Sequence, residues 1–326
     1  MSGFKAIIPA AGEGRRLRPH TYATPKVLLE VAGKPIIGHI MDRLLAAGPD
    51  EVCVVVGGQS EQIESYLIRE YDCRLSFVRQ DDPKGLGDAV FRTREHFGNE
   101  PVLILLGDTI VDVDMSSIVG QGNVLGVREV DDPRRFGIVE TEDGKVRRVV
   151  EKPEKPTSNL AIVGVYYFKD AGVLFDSLSR LIESGRRTRG EFQLTDALQL
   201  MVESGAVMTV KQIDHWLDCG TPDALLATNR HLLNKKSYFR PREGVVFIPP
   251  LHVHDSASIS ASVIGPDVSV GAEAEIRDAV IRDCIVNHHA LAEGVLLEHS
   301  ILGEKSIARG KLRRLNLGAF SELEIG

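Results

Sequence analysis

Four cysteines in a chain of 326 residues are too few, and too scattered, to staple a small fold. Cys53, Cys73, Cys219 and Cys284 contain no Cys-x-x-Cys pair, so a zinc knuckle and a disulfide framework are both set aside. A reduced, cytoplasmic protein is expected. Long apolar runs are also missing. Val102–Leu106 is typical, far short of the roughly 20 residues that a membrane helix needs. Residues 1–11 do not read as a secretory signal, because Pro9 and glycines interrupt a short apolar stretch. Nor is there a basic excess: 39 Lys and Arg stand against 46 Asp and Glu, a net charge of −7. That balance disfavours nucleic acid and anionic lipid as partners, while leaving open small anions held by local charge.

What is present suits a globular protein. Hydrophobic residues make up 43% of the chain, enough for a sizeable core, and the length allows one large domain or two moderate ones. The first half alternates in period. Strands are expected at 4–10, 51–56, 75–78 and 101–106, and helices at 35–47, 60–70 and 86–96, the first carrying Ile36, Ile37, Ile40, Met41, Leu44 and Leu45 on one stripe. Strands alternating with helices imply crossovers, hence a Rossmann-like, mostly parallel α/β sheet with helices on both faces. In such sheets ligands sit beyond the carboxyl ends of the strands. Further on, Asp143-Gly144 marks a hairpin, 160–168 and 207–212 read as strands, and 171–184, 194–204 and 222–233 as helices.

After Asn234 the composition changes. Short aliphatic residues recur every six positions, as at Val253 and Ile259, at Ile264, Val270 and Ile276, and at Ile285, Leu291 and Leu297. That period suits a hexapeptide β-helix of three to four coils, with an ordinary antiparallel β domain as the alternative. The domains are therefore expected at 1–235 and 245–326. His288-His289 is compatible with a metal site, but neighbouring strand residues face opposite ways and cannot share one ion. A structural role is expected.

The chemistry concentrates behind the first strand, in Ala10-Ala11-Gly12-Glu13-Gly14-Arg15-Arg16-Leu17-Arg18-Pro19. Two glycines one residue apart permit a tight turn whose N–H groups can face phosphate oxygens. Position 17 is leucine where a dinucleotide fingerprint wants a third glycine, and Pro19 and Pro25 oppose a helix directly behind the turn, so a dehydrogenase is disfavoured. Arg15, Arg16, Arg18 and Lys26 make a phosphate site the better reading.

Gly12-x-Gly14-x-Arg16-Leu17-x-Pro19, then Pro25-Lys26 and Gly33-Lys34-Pro35, resembles the opening of the sugar-phosphate nucleotidyltransferases, most of all the glucose-1-phosphate thymidylyl- and uridylyltransferase branch. Further matches follow in order: Gln80, Gly85-Leu86-Gly87, Leu106-Gly107-Asp108, Phe136-Gly137-Ile138, Glu151-Lys152-Pro153, Arg189-Gly190-Glu191 and Trp216-Leu217-Asp218-x-Gly220-Thr221. The tail resembles the left-handed β-helix of longer members. The resemblance implies transfer of a nucleotidyl group to glucose 1-phosphate with release of pyrophosphate, a reaction run by positioning and charge neutralisation. It implies catalytic roles for Arg16 and Lys26, and Mg²⁺ held by Asp108 and Asp218. Ala11, Gly12, Gly14, Gln80 and Gly85 would bind the nucleotide; Gly137, Glu151, Lys152 and Arg189 the sugar phosphate.

The departures from the pattern matter. Glu13 and Arg15 stand where serine or threonine is usual, Thr109 replaces an asparagine, and Val27 a proline. Glu13 should weaken phosphate binding unless it points away. The residues leave dTTP and UTP both open. Two other functions remain as alternatives, an idle nucleotide-sugar-sensing subunit and a hexapeptide acyltransferase. Open coil ends need covering, so a homo-oligomer through the C-terminal domain is expected.

Overall fold

The structure, a computed structural model, describes residues 3–310. They divide into two compact units, one ending at Thr228 and lacking 31–33, the other made of Val31–Gly33 and the chain from Asn229 onward.

The first unit is built on a nine-stranded sheet. Lys5–Pro9, Glu51–Val56, Leu75–Arg79 and Val102–Leu105 pair in parallel, with Lys5–Pro9 flanked by Glu51–Val56 and Val102–Leu105. The three inner ones, Lys5–Pro9, Glu51–Val56 and Val102–Leu105, are mostly apolar and buried almost throughout, as expected where both faces of a strand are covered, whereas Leu75–Arg79 at the edge is only partly buried. The expected parallel order stops there. Leu160–Phe168 runs antiparallel to Val102–Leu105 and to Asn123–Glu129, Met208–Gln212 is parallel to the latter, and the hairpin Gly137–Glu142/Lys145–Glu151 closes the edge. The fold is α/β, with a parallel half and a mixed half.

The helices fall close to their expected places. Ile36–Ala46 and Ser60–Glu70 are regular, and Ala171–Glu183 is capped by the Asp170 side chain on Gly172 N. The expected helix 86–96 is shorter: Leu86–Phe91 is α-helical, and Arg94–His96 forms a separate 3₁₀ turn. Behind the first strand Arg15–Leu17 and Lys26–Leu28 are single 3₁₀ turns, consistent with the prolines that bar a longer helix.

The second unit is a parallel coil. Val245 pairs with Ser262, Val263 with Val280 and Val280 with Leu296; equivalent ladders join Leu251, Val268 and their successors, and Ser258, Glu275, Leu291 and Ile307. All of these pairings are parallel, which excludes the antiparallel domain. Each turn of the coil takes 16 or 17 residues, less than three sixes, as Glu275 opposite both Ser258 and Leu291 shows. The missing residues are lost at the corners. Ala261, Asp267, Glu273, Asp278, Asp283, His289, His299 and Lys305 all have positive φ, and successive corners lie five or six residues apart up to Gly294 and beyond. His288 and His289 occupy such a turn, not a strand. His288 Nδ1 accepts from Ala272 N at 3.0 Å, and His289 reaches Glu273 at 3.3 Å. Among the described residues no helix is long and apolar enough to cross a membrane.

Candidate active site

The carboxyl end of Lys5–Pro9 opens into the glycine loop. Ala10 N is tied to Val55 O at 2.8 Å, and Gly14 takes φ 63°, a left-handed conformation that favours glycine. An added Cβ there would also lie 2.9 Å from Lys26 Cβ, so the loop folds directly over the Lys26 stem. Leu17, fully buried, anchors the turn and leaves Arg16 on its outer side.

A second glycine brings an acid to the same place. Gly107 N donates to Pro9 O at 3.0 Å, and a Cβ at 107 would meet that oxygen at 2.7 Å. Only glycine lets the Leu106–Asp108 segment cross so close to the first strand, and the crossing delivers Asp108 to the loop. Lys26 Nζ donates to Asp108 Oδ2 at 2.6 Å, from a side chain that is 8% exposed.

Asp218 arrives on a strand pair not expected from the sequence. His215–Asp218 is antiparallel to Thr109–Asp112, with Asp218 opposite Thr109, and Cys219 N donates to Asp108 O at 3.1 Å. Two acids 110 positions apart are thereby backbone neighbours. Arg16 completes the group: a Cβ on Gly220 would lie 2.7 Å from Arg16 Nη2 and 2.9 Å from Asp218 Oδ1.

Two clefts meet here. One, of about 630 Å³, is lined by Ala11, Gly12, Gly14, Arg16, Lys26, Gln80, Gly85 and Asp108. The other, of about 420 Å³, is lined by Arg16, Asp108, Gly137, Glu151, Lys152 and Asp218. Arg16 and Asp108 belong to both, so they stand at the junction. In the first cleft Gln80 is buried, its Nε2 donating to Gly85 O at 3.1 Å and Asp88 Oδ2 at 2.8 Å, which leaves the amide oxygen as an acceptor. In the second, Glu151 accepts from Thr195 Oγ1 at 2.9 Å and pairs with Lys152 Nζ at 3.1 Å. Arg189 is not among the lining residues. Its guanidinium donates to Lys152 O at 3.1 Å, so it reaches the cleft through the backbone of Lys152.

Glu13 is drawn into the loop's own charge pattern. Its carboxylate accepts from Arg15 Nε at 2.6 Å and lies 3.8 Å from Arg18 Nη2. The Arg15 hydrogen bond, then its charge, hold the Glu13 carboxyl below the usual range.

Several lining residues were given no role from the sequence, although Trp216 and Glu191 fall inside motifs quoted above. Tyr166 is buried, its hydroxyl has no hydrogen-bond partner among the described residues, and it lines the second cleft. Burial, reinforced by Glu151 and Asp108, pushes its hydroxyl well up, so it stays a donor. Trp216 Nε1 is buried without a partner, and its ring meets Phe136 edge-on at 4.8 Å. Arg135 and Glu191 line the same cleft. Leu160–Phe168 is apolar and buried almost throughout, so no pattern singled out Tyr166.

A nucleotidyl transferase family profile matches residues 5–235. The chain belongs to that family. This nucleotidyltransferase is 30% identical to the glucose-1-phosphate thymidylyltransferase of Streptomyces griseus over 95% of its own length and 92% of that protein. It is 35% identical to the UTP–glucose-1-phosphate uridylyltransferase AglF of Haloferax volcanii, over 68% of this chain and 93% of the relative. A solved UDP-glucose pyrophosphorylase complexed with UDP-glucose superposes with a TM-score of 0.64 at 27% identity, covering 72% of this chain and all of that one. The chain spans about half the length of the archaeal bifunctional GlmU proteins that it also matches. Nucleotidyltransferases of this kind generally use a divalent metal. The donor chemistry fits one: the strand pair makes the Asp108–Thr109 and Asp218–Cys219 segments backbone neighbours, carboxylates are hard oxygen ligands, and ions such as Mg²⁺ take one or two of them plus water and substrate oxygens.

Proposed function

We propose that this nucleotidyltransferase joins a pyrimidine nucleoside triphosphate, dTTP or UTP, to glucose 1-phosphate, giving the nucleotide sugar and pyrophosphate. The meeting of the two clefts at Arg16 and Asp108 carries the reading, because two polyanions must come together at one phosphorus. A phosphate oxygen of the sugar attacks the α-phosphorus in line, the bond to the bridging oxygen breaks, and pyrophosphate leaves with the electron pair. Arg16 and Lys26 offset the charge that accumulates on the α-phosphate and on the leaving group. Asp108 and Asp218 would hold Mg²⁺, which supplies further neutralisation of the triphosphate when bound.

In this assignment Ala11, Gly12 and Gly14 present backbone to the phosphates, with Gln80 and Gly85 at the base. The acceptor left on Gln80 suits the N3–H of uracil or thymine. Gly137 and Glu151 face sugar hydroxyls, and Lys152, steadied by Arg189, faces the sugar phosphate. Residues 1–235 form the catalytic domain. Residues 245–326 are assigned to a left-handed β-helix, a reading supported by the parallel ladders up to Arg309; its part beyond 310 lies outside the described residues.

The protein is read as cytoplasmic and as a homo-oligomer through that coil. One observation supports the second copy: Val246, Val280 and Leu296 stack in register on one ladder and are 56%, 41% and 77% exposed. A monomer by sedimentation would remove this part. The idle sensor and acyltransferase readings lose ground because the basic and acidic groups of the site are complete and His288 and His289 are spent on corner contacts.

The test is a matrix of dTTP, UTP, CTP, ATP and GTP against glucose, galactose, mannose and N-acetylglucosamine 1-phosphates, read by Mg²⁺-dependent pyrophosphate release. Turnover confined to a pyrimidine nucleotide with glucose 1-phosphate is expected. Release that needs no sugar phosphate, or none with any pair, would refute the reading.

A further inference from the structure

The sugar-side cleft is lined by more acid than base: Asp108, Glu151, Glu191 and Asp218 against Arg16, Arg135 and Lys152. A sugar 1-phosphate brings nearly two further negative charges at neutral pH, the second phosphate pKa being about 6. Lys152 is already balanced by Glu151 at 3.1 Å. Arg16 stands at the junction and serves the triphosphate as well. Arg135 lines only the sugar-side cleft, and among the described residues it has no hydrogen bond or ion pair.

Its neighbours explain why it is kept there. Asp132 caps the 3₁₀ turn Pro133–Arg135, accepting from Arg134 N, and the same carboxylate clamps the Arg134 guanidinium at 2.7 and 3.0 Å. Of two adjacent arginines one is bonded to Asp132, while the other feels that carboxylate only through space and is left for the cleft. Phe136 fixes the other side: its carbonyl accepts from Lys152 N at 3.0 Å, and its ring packs on Trp216, two residues before Asp218. The turn that carries Arg135 is thus bonded directly to the backbone of Lys152.

We infer that Arg135 is a phosphate-binding residue for the sugar 1-phosphate, gripping two of its oxygens beside Lys152. This rests on the function proposed above and adds a residue to it. A guanidinium fork offers two parallel donors to a phosphate, which a lysine beside it cannot.

The experiment compares wild type with Arg135→Ala, Arg135→Lys and, as a control on the turn itself, Arg134→Ala. In steady state, Arg135→Ala should raise KM for glucose 1-phosphate about 10- to 100-fold, the size expected for a lost charge-assisted contact, with KM for the nucleotide and Tm unchanged. Arg135→Lys should recover part of the loss, and Arg134→Ala should leave both KM values at wild type. Calorimetric titration of glucose 1-phosphate, with inorganic phosphate as competitor, gives the same comparison without turnover. Equal affinity in wild type and Arg135→Ala overturns the inference, as does a loss shared equally by Arg134→Ala or by the nucleotide KM. A wild type that binds glucose 1-phosphate through Arg135 but releases no pyrophosphate would leave the inference standing and refute the proposed reaction instead.

Discussion

The Lys26 ammonium sits 2.6 Å from the Asp108 carboxylate, although the two residues lie on different loops of the sheet rim. The lysine is buried and the aspartate is 41% exposed, so the ion pair holds a buried cation against an acid that remains open to ligands. A cation that enters must share Asp108 with Lys26, and a triphosphate must share Lys26 with Asp108.

Lys26→Met, which keeps the buried stem, and Asp108→Asn should each lower kcat by about 10² to 10³, the usual effect of removing one preorganised charge stabiliser. Pyrophosphate release measures the loss, and thermal unfolding should show each variant folded. Near-normal turnover in either would remove the role assigned to that residue.

Arg16→Ala tests a group of the opposite kind. Arg16 is exposed and unpaired among the described residues, so its loss should leave stability within about 0.5 kcal/mol of wild type. Turnover should still fall by about 10² or more. A matching fall in Tm would show that the arginine supports the loop, not the reaction.

Gly220→Ala places a methyl group 2.7 Å from Arg16 Nη2 and 2.9 Å from Asp218 Oδ1. Both obstacles are ends of flexible side chains, so the fold should tolerate the change while the two groups are pushed off position. The expected outcome is a lower kcat at unchanged Tm, and metal-dependence curves that shift to higher concentration. Kinetics identical to wild type would show that neither group has to be where it is.

The four thiols should differ in reactivity. Burial pushes Cys53 and Cys284 up to about 11 and Cys219 up to about 12, while Cys73, raised mainly by the same desolvation, is partly exposed. At pH 8 an aromatic disulfide reagent should titrate Cys73 first in the folded protein and the other three only on unfolding. Fast reaction of Cys219 would mean that the floor beneath Asp108 opens.

Asp267 gives a pH dependence with a definite sign. Desolvation first, then the Asp283 charge, raise its pKa despite Arg230, and its Oδ1 and that of Asp283 are buried without partners; Asp283 Oδ2 takes Arg230 and His299 at 3.1 and 2.7 Å. A carboxyl raised in the native state binds more protons folded than unfolded, so stability falls as pH rises from the unfolded carboxylate range through the native pKa. Asp267→Asn, which keeps a residue tolerant of φ 63°, should therefore raise Tm at pH 7 and converge on wild type in acid. A lower Tm at pH 7 would contradict this.

Much of this was legible because the elements are locally determined. Glu51–Val56, Ser60–Glu70 and Leu160–Phe168 lie where pattern alone puts them, and the glycine loop with its cations stood out as the candidate site that the structure then places beside Asp108. The strand pair Thr109–Asp112/His215–Asp218 was not, because neither segment alternates and their pairing is set by the rest of the unit. Arg135 was indistinguishable from Arg134 until Asp132 was seen to clamp only one of them. The coil's period was read as six because its aliphatic positions suggest it. The left-handed corners that shorten a turn to 16 or 17 residues are occupied by Asp, Glu, His, Lys and Ala, which look like ordinary surface residues.

Those corners also dictate how this part of the chain tolerates change in length. Each strand of the coil pairs with one a full turn away, so a residue inserted within a strand would shift its register and turn aliphatic side chains outward, whereas the corners already absorb the difference between turns of 16 and 17 residues. Adding a whole turn would disturb nothing except the new end. Growth and loss of this tail are thus restricted to integral rungs.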